Sequence, residues 1–398
     1  MNKKATAEPG TLKSDTLLSI GGRDPFAHHG YVNTPVYHAS TLLYETAEDF
    51  LAHRGRYQYG RRGTPTSEAL ETAIQTLDGP ACAAVALLPS GLAAISAALL
   101  SQLKAGDHVL VTDSVYWPTR KFCDTVLTRF GITTSYFDPL IGGGIAALLT
   151  PQTRVVFVEA PGSLTFEMQD IPAIAAAAHA HGALVLMDNT WAGPLYFRAL
   201  EKGVDLSIIS GTKYFGGHSD LMLGTVSAND AAAKALKDYT GFAGLCVGPD
   251  DMNLGLRGLR TMGVRLARHQ ESGLRVARWL AQRPEVARVL HPGLESNPGH
   301  AIWKRDFTGA CGLFSVVLKP MPQAAQLAFL NALTLFGMGA SWGGFESLAI
   351  PFDVTPCRTA TAWAPGGPAI RFHIGLEDVG DLMADLERGF AAMAVARA

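Results

Sequence analysis

A chain of 398 residues with 48% hydrophobic and 17% charged content is long enough for two or three domains and too apolar for intrinsic disorder. Its 33 basic and 35 acidic residues leave a formal net charge of −2 with no basic block, which argues against nucleic acid or an anionic membrane as partner. Five scattered cysteines (Cys82, Cys123, Cys246, Cys311 and Cys357) without CxxC spacing read as reduced packing residues, not as a zinc site or disulfide framework. After Met1-Asn2-Lys3-Lys4 the chain turns polar with no apolar core of signal-peptide length, and no apolar run is long enough to span a bilayer. A cytoplasmic protein is the expectation.

Residues 1–63 read as an extended arm, rich in Gly, Pro, His and Tyr, with one short helical piece at 45–53. Such an arm cannot bury itself alone and is expected to lie across a neighbouring subunit. A helix follows over 67–77, with a capping box expected from Thr64 or Thr66. Apolar strands then alternate with helical segments through 64–258, at 84–88, 108–112, 133–137, 154–159, 183–188, 206–210 and 223–227. That alternation predicts an α/β fold with a mainly parallel sheet covered by helices, in which ligands sit at the carboxyl ends of strands. An amphipathic helix at 263–282 leads into a smaller α+β portion, 259–398, with strands at 312–318 and 369–375 and a closing helix at 378–394.

Chemistry concentrates at the strand ends. The run Ser207-Ile208-Ile209-Ser210-Gly211-Thr212-Lys213-Tyr214 delivers a lysine flanked by small hydroxyl residues, and Ala183-Leu184-Val185-Leu186-Met187-Asp188 delivers an acid. The two are 213 − 188 = 25 residues apart, room for one helix between adjacent parallel strands. A lysine that forms a Schiff base and a carboxylate that keeps a pyridine nitrogen protonated are the two demands of pyridoxal 5'-phosphate (PLP) chemistry. The plainer alternative is an α/β protein with a surface lysine and a strand-end aspartate. Pro89-Ser90-Gly91-Leu92 follows a strand and opens a helix, where backbone N–H groups can approach a phosphate, or simply make a tight turn. Tyr116, after another strand end, suits either stacking on a flat ring or packing. Arg371 lies in the apolar strand Ile370-Arg371-Phe372-His373, on the face opposite Ile370 and Phe372, and requires an anion: a substrate carboxylate or an internal salt bridge. The twelve histidines include no HExxH and no evident triad.

Taken together these residues resemble the Cys/Met-metabolism family of fold-type I PLP-dependent enzymes, over almost the whole chain. The motifs that carry the resemblance, in order, are Tyr59-Gly60-Arg61-Arg62-Gly63-Thr64-Pro65-Thr66, Asp188-Asn189-Thr190-Trp191, Thr212-Lys213-Tyr214 and Gly217-His218-Ser219-Asp220. Trp303-Lys304-Arg305-Asp306-Phe307-Thr308-Gly309 and Ser341-Trp342-Gly343-Gly344 resemble its β-lyase branch in particular. The resemblance implies Lys213 as the Schiff-base lysine, Asp188 as the pyridinium partner and Tyr116 as the stacking ring and a possible proton carrier. It implies Gly91, Leu92, Ser210 and Thr212 around the phosphate, with Tyr59 and Arg61 reaching the phosphate of a neighbouring subunit and Tyr59 also near substrate. Arg371, Ser341 and the Trp342 backbone would hold the substrate α-carboxylate. The implied activity is carbon–sulfur β-cleavage of L-cystathionine to homocysteine, pyruvate and ammonia, with cysteine desulfhydration as a side reaction, in a cytoplasmic homotetramer built from dimers. A γ-acting relative and a regulatory binding protein on the same fold are the competing readings. Two departures from the family pattern stand out. Thr64 occupies the position where asparagine is more common, and Ala340 stands where related lyases often carry a bulkier aromatic residue at the distal substrate pocket.

Overall fold

The computed structural model describes residues 12–397 and contains two sheets. The larger has seven strands, β1 (Ala84–Leu88), β2 (His108–Thr112), β3 (Thr133–Phe137), β4 (Thr153–Glu159), β5 (Leu184–Asp188), β6 (Leu206–Ile209) and β7 (Gly224–Ala228), in the order β1-β7-β6-β5-β4-β2-β3. Pairing is parallel from β3 through β6, whereas β7 runs antiparallel to both β6 and β1. Val155, Val156, Phe157 and Val158 of β4 are all buried, because helices cover both faces and leave no side of the strand wet. The smaller sheet is antiparallel, with strands β8 (Val286–Leu290), β9 (Leu313–Leu318), β10 (Leu348–Phe352) and β11 (Ala369–His373) in the order β10-β11-β9-β8. Ile370 and Phe372 of β11 belong to its apolar core, which leaves Arg371 and His373 on the opposite face as the alternation requires.

In α1 (Ser14–Ile20), Leu17 and Leu18 are buried in the main core, so part of the arm packs on its own chain where the sequence pattern predicts no helix. The helix expected at 45–53 is α2 (Ala47–Leu51), started by Thr46, whose side chain accepts from the Asp49 N–H. Helix α3 (Pro65–Asp78) begins at a capping box between Thr64 and Ser67, with Pro65 supplying a first-turn φ that costs no hydrogen bond. Helix α4 (Gly91–Gln102) is capped by Ser90, whose hydroxyl accepts from the Ala93 N–H.

The two sheets are tied together close to the site. Asp113, buried just past the end of β2, accepts N–H groups from Thr359 at 3.0 Å, Ala360 at 3.2 Å and Thr361 at 2.9 Å, and pairs with Arg120. One carboxylate thus holds the segment that leads into β11 against the loop that carries Tyr116. Six donors more than offset its burial, and its carboxyl stays below the ordinary range despite the desolvation that opposes this.

Asp78, the last residue of α3, is the opposite case. It is fully buried, Ser227 Oγ donates to its Oδ2 at 2.5 Å, and its Oδ1 has no partner. A helix C-terminus disfavours an anion, and burial pushes this carboxyl from 3.8 up to about 7. Between those pH values the native state holds a proton that the unfolded chain has released. Stability therefore falls as pH rises through the window and stays low above about 7. Asp78→Asn keeps an acceptor for Ser227 and removes the charge. Thermal melts of this variant are expected to gain about 1–3 kcal/mol over the unmutated protein at pH 8, with the gain shrinking towards pH 5.

Candidate active site

The carboxyl ends of β4, β5 and β6 and the start of α4 meet on one side of the larger sheet. Gly91 sits against Ser210 so tightly that a Cβ on residue 91 would lie 2.6 Å from both Cβ and Oγ of Ser210. Only glycine lets the first turn of α4, with its unpaired N–H groups at Gly91 and Leu92, close on the Ser210 loop. Thr212 fixes that loop from below: its Oγ1 donates to the Leu223 carbonyl at 3.2 Å and accepts the Leu223 N–H at 3.1 Å. The result is a cup of helix N-terminus and small hydroxyl side chains, a geometry that suits an anion.

Beside this cup, Asp188 accepts the Thr190 N–H at 3.0 Å and the Thr190 hydroxyl at 2.6 Å, both on Oδ1. Burial raises its pKa, while the two Thr190 bonds and the Lys213 charge oppose the rise. The Lys213 Nζ donates to Ser341 Oγ at 3.0 Å. Burial, with the Arg371 charge adding to it and Asp188 opposing, brings this amine down from 10.5 to about 8, so a useful fraction is neutral near physiological pH. Gly343 lets the 341–344 loop press onto Lys213: its φ is +86°, and a Cβ there would lie 3.0 Å from Lys213 Cβ. Trp342 packs edge-on against Tyr214 with ring centroids 5.6 Å apart.

Arg371 reaches the same loop from the smaller sheet. Its guanidinium donates to the carbonyls of Gly339 at 3.0 Å, Ala340 at 3.0 Å and Ser341 at 3.1 Å, and its buried Nε has no partner. These acceptors are neutral. Among the described residues no carboxylate pairs with Arg371, so the salt-bridge alternative is not what the structure contains. Burial lowers its pKa to about 10, which leaves it charged at neutral pH.

Tyr116 stands just before the helix α5 (Trp117–Lys121), with 44% of its surface open. Burial raises the phenol's pKa; Asp188 and Glu159 add to this and Arg371 opposes it, which places all four groups within one field. Lys213, Asp188, Tyr116, Ser341, Trp342 and Arg371 are therefore brought together at one wall of the site, with Gly91, Leu92, Ser210 and Thr212 beside them. Tyr59 and Arg61 are not. Their polar contacts are to Ser40 and to the Gly241 carbonyl, and among the described residues neither bonds to the Lys213 group. Two residues escape the sequence reading. Thr190 orients Asp188 from two positions further on, and Glu159 ends β4 in register with Asp188. The signal for Glu159 was available: an acid at the carboxyl end of a buried strand, as for Asp188.

The fold and this wall of groups define a lysine-centred α/β enzyme class, and comparison with known proteins gives its family. Residues 15–391 match the family described as Cys/Met metabolism PLP-dependent enzyme. The cystathionine beta-lyase of Salmonella typhimurium is 46% identical over 389 residues, covering 95% of this chain and 98% of that protein. The cystathionine gamma-synthase of Mycobacterium bovis is 36% identical over 395 residues, covering 98% and 99%. Among solved structures, cystathionine gamma-lyase from Lactobacillus plantarum, complexed with L-serine, superposes with a TM-score of 0.87 at 31% identity, covering 96% of this chain and all of that one. The chain belongs to the Cys/Met metabolism PLP-dependent enzyme family, and its cofactor is PLP.

Proposed function

We propose that this enzyme is a carbon–sulfur β-lyase that cleaves L-cystathionine to homocysteine, pyruvate and ammonia. The observation that carries an amino-acid substrate is Arg371, a buried cation bonded only to neutral carbonyls, linked through the 339–341 loop and Ser341 to Lys213. An α-carboxylate supplies the missing anion, and the free Nε offers it a charge-assisted bond. The preference for β over γ cleavage rests on similarity: 46% identity to a named β-lyase against 36% to a named γ-synthase.

The residues fit PLP. When bound, the cofactor supplies an aldehyde for amines and a protonated ring that draws electrons from the substrate Cα. Gly91, Leu92, Ser210 and Thr212 would form the cup for its phosphate, and Tyr116 would stack on the ring. Thr190 bonds to Oδ1 of Asp188, and the carboxylate would keep the ring nitrogen protonated. Lys213 would hold the cofactor through its aldehyde, and its Nζ, when free, would take the substrate Cα proton and donate a proton to the departing sulfur. A pKa of about 8 suits both transfers, and the bond to Ser341 Oγ fixes where Nζ sits. Tyr116, raised in pKa, stays a neutral phenol and can assist the same shuttle.

The arm supports an oligomer. Leu43 is 94% and Leu51 78% exposed on it, apolar surface that a second copy covers at low cost. In this reading Tyr59 and Arg61 serve the neighbour's phosphate, two such dimers form the homotetramer, and the arm of 1–63 is the first of three parts before the PLP domain (64–258) and the C-terminal domain (259–398). Residues 1–11 of that arm lie outside the described residues. Among the described residues no helix is long and apolar enough to cross a membrane. Five free thiols fit a reducing, cytoplasmic setting.

Product analysis tests the reaction. With L-cystathionine the purified enzyme is expected to release pyruvate and homocysteine in equal amounts. Release of α-ketobutyrate and cysteine would move it to the γ-lyase reading with the same cofactor and fold.

A further inference from the structure

Glu159 and Asp188 are paired across the parallel β4–β5 ladder, so two acids stand side by side at the strand ends under the site. Thr190 gives Asp188 two hydrogen bonds, and Lys213 adds a cation. Glu159 receives one bond, from the Tyr116 N–H to its Oε2 at 2.7 Å, while its backbone carbonyl accepts from the Gln169 side chain. Burial and the neighbouring Asp188 charge hold Glu159 well above the usual carboxylate range; Glu167 adds to this, and the Tyr116 N–H and Arg358 oppose it. Two adjacent acids at a buried strand end cannot both ionise cheaply, and the two Thr190 bonds and the Lys213 charge favour the anion on Asp188 over Glu159.

Tyr116 needs such a tether. It is the residue before the first turn of α5, its side chain makes no capping bond, and much of its ring is open. Its N–H has no acceptor within the helix, as for any residue at that position. Glu159 supplies the acceptor from a rigid strand end. We propose that Glu159 is a positioning residue for Tyr116, fixing its backbone through the side-chain acceptor Oε2 and thereby aiming the ring across the cofactor site. This rests on Tyr116 being the stacking ring, and it assigns Glu159 a role that does not depend on its charge.

The test starts with amide hydrogen exchange on the unmutated protein stripped of PLP. The Tyr116 amide is expected to exchange at least about tenfold slower than that of Trp117, the first helical residue, which has no intrahelical acceptor. Equal exchange would overturn the proposal without any variant. E159A is expected to erase that protection, to change the visible circular dichroism of bound PLP, and to lower kcat more than it raises KM. E159Q, which keeps a neutral acceptor, is expected to recover the protection and the dichroism. An E159Q protein that melts normally yet fails as fully as E159A would overturn the acceptor role. In a Y116A background E159A is expected to add no further loss of kcat, and an additive loss would contradict action through Tyr116. The exchange measurement uses no cofactor, so a missing PLP band in the unmutated protein would count against the proposed function and leave the Tyr116 result standing.

Discussion

Replacing Lys213 by alanine is expected to lower kcat for cystathionine cleavage by at least about a thousandfold, within the range for losing a general acid–base group. The structure explains why no neighbour can substitute. Ser341 Oγ is the side chain bonded to Nζ, and a serine hydroxyl does not take a carbon-bound proton near neutral pH. Tyr116 cannot stand in as the base, since burial and the acids around it raise its pKa and leave almost no phenolate near neutral pH. The variant also loses the amine proposed to hold the aldehyde, so PLP is expected to dialyse away faster and its long-wavelength band to shift or vanish. Far-ultraviolet dichroism and melting should change little, because the lysine's burial is a cost that alanine removes. A purely regulatory binding function, by contrast, would survive this substitution.

Arg371→Leu is expected to cut kcat/KM by about two to three orders of magnitude, the cost of losing a buried charged bond to a carboxylate. Most of the loss should appear in KM, because the α-carboxylate is held equally before and during the reaction. Leucine roughly fills the volume in a strand whose neighbours Ile370 and Phe372 are already core, so folding should survive. The same change orphans the carbonyls of Gly339, Ala340 and Ser341, which loosens the loop that presents Ser341 to Lys213. A several-fold fall in kcat is therefore expected on top of the rise in KM. Arg371→Lys should recover only part of either, since one ammonium cannot span three carbonyls and a carboxylate.

How much of this was legible in the sequence depended on locality. The strands carrying Asp188 and the Lys213 loop were readable because central strands buried on both faces are written as unbroken apolar runs. The two strands that escaped, β8 and β10, are the two edges of the smaller sheet. Edge strands are half-wet, so β8 carries Arg288 and β10 carries Pro351, a residue that an edge tolerates. The reversal of β7 was invisible because strand direction is set by the path of the connections, not by composition. Within the site, the strand-end rule located Lys213, Asp188 and Gly91. Applied to every strand, the rule would also have located Glu159, which ends β4. The clasp of Arg371 on the 339–341 carbonyls was not legible, since it joins segments about thirty residues apart through backbone oxygens that carry no sequence signature. The helix α1 was missed for a related reason: two leucines in seven residues become a core contact only when α3 is there to receive them.

The most direct test of the central claim is to reduce the PLP-loaded enzyme with borohydride, digest it and locate the cofactor by mass spectrometry. The expected result is one stable phosphopyridoxyl adduct, on the peptide containing Lys213, with its loss matched by loss of cystathionine cleavage. An adduct on another lysine, or none in an enzyme that still cleaves cystathionine, would contradict it.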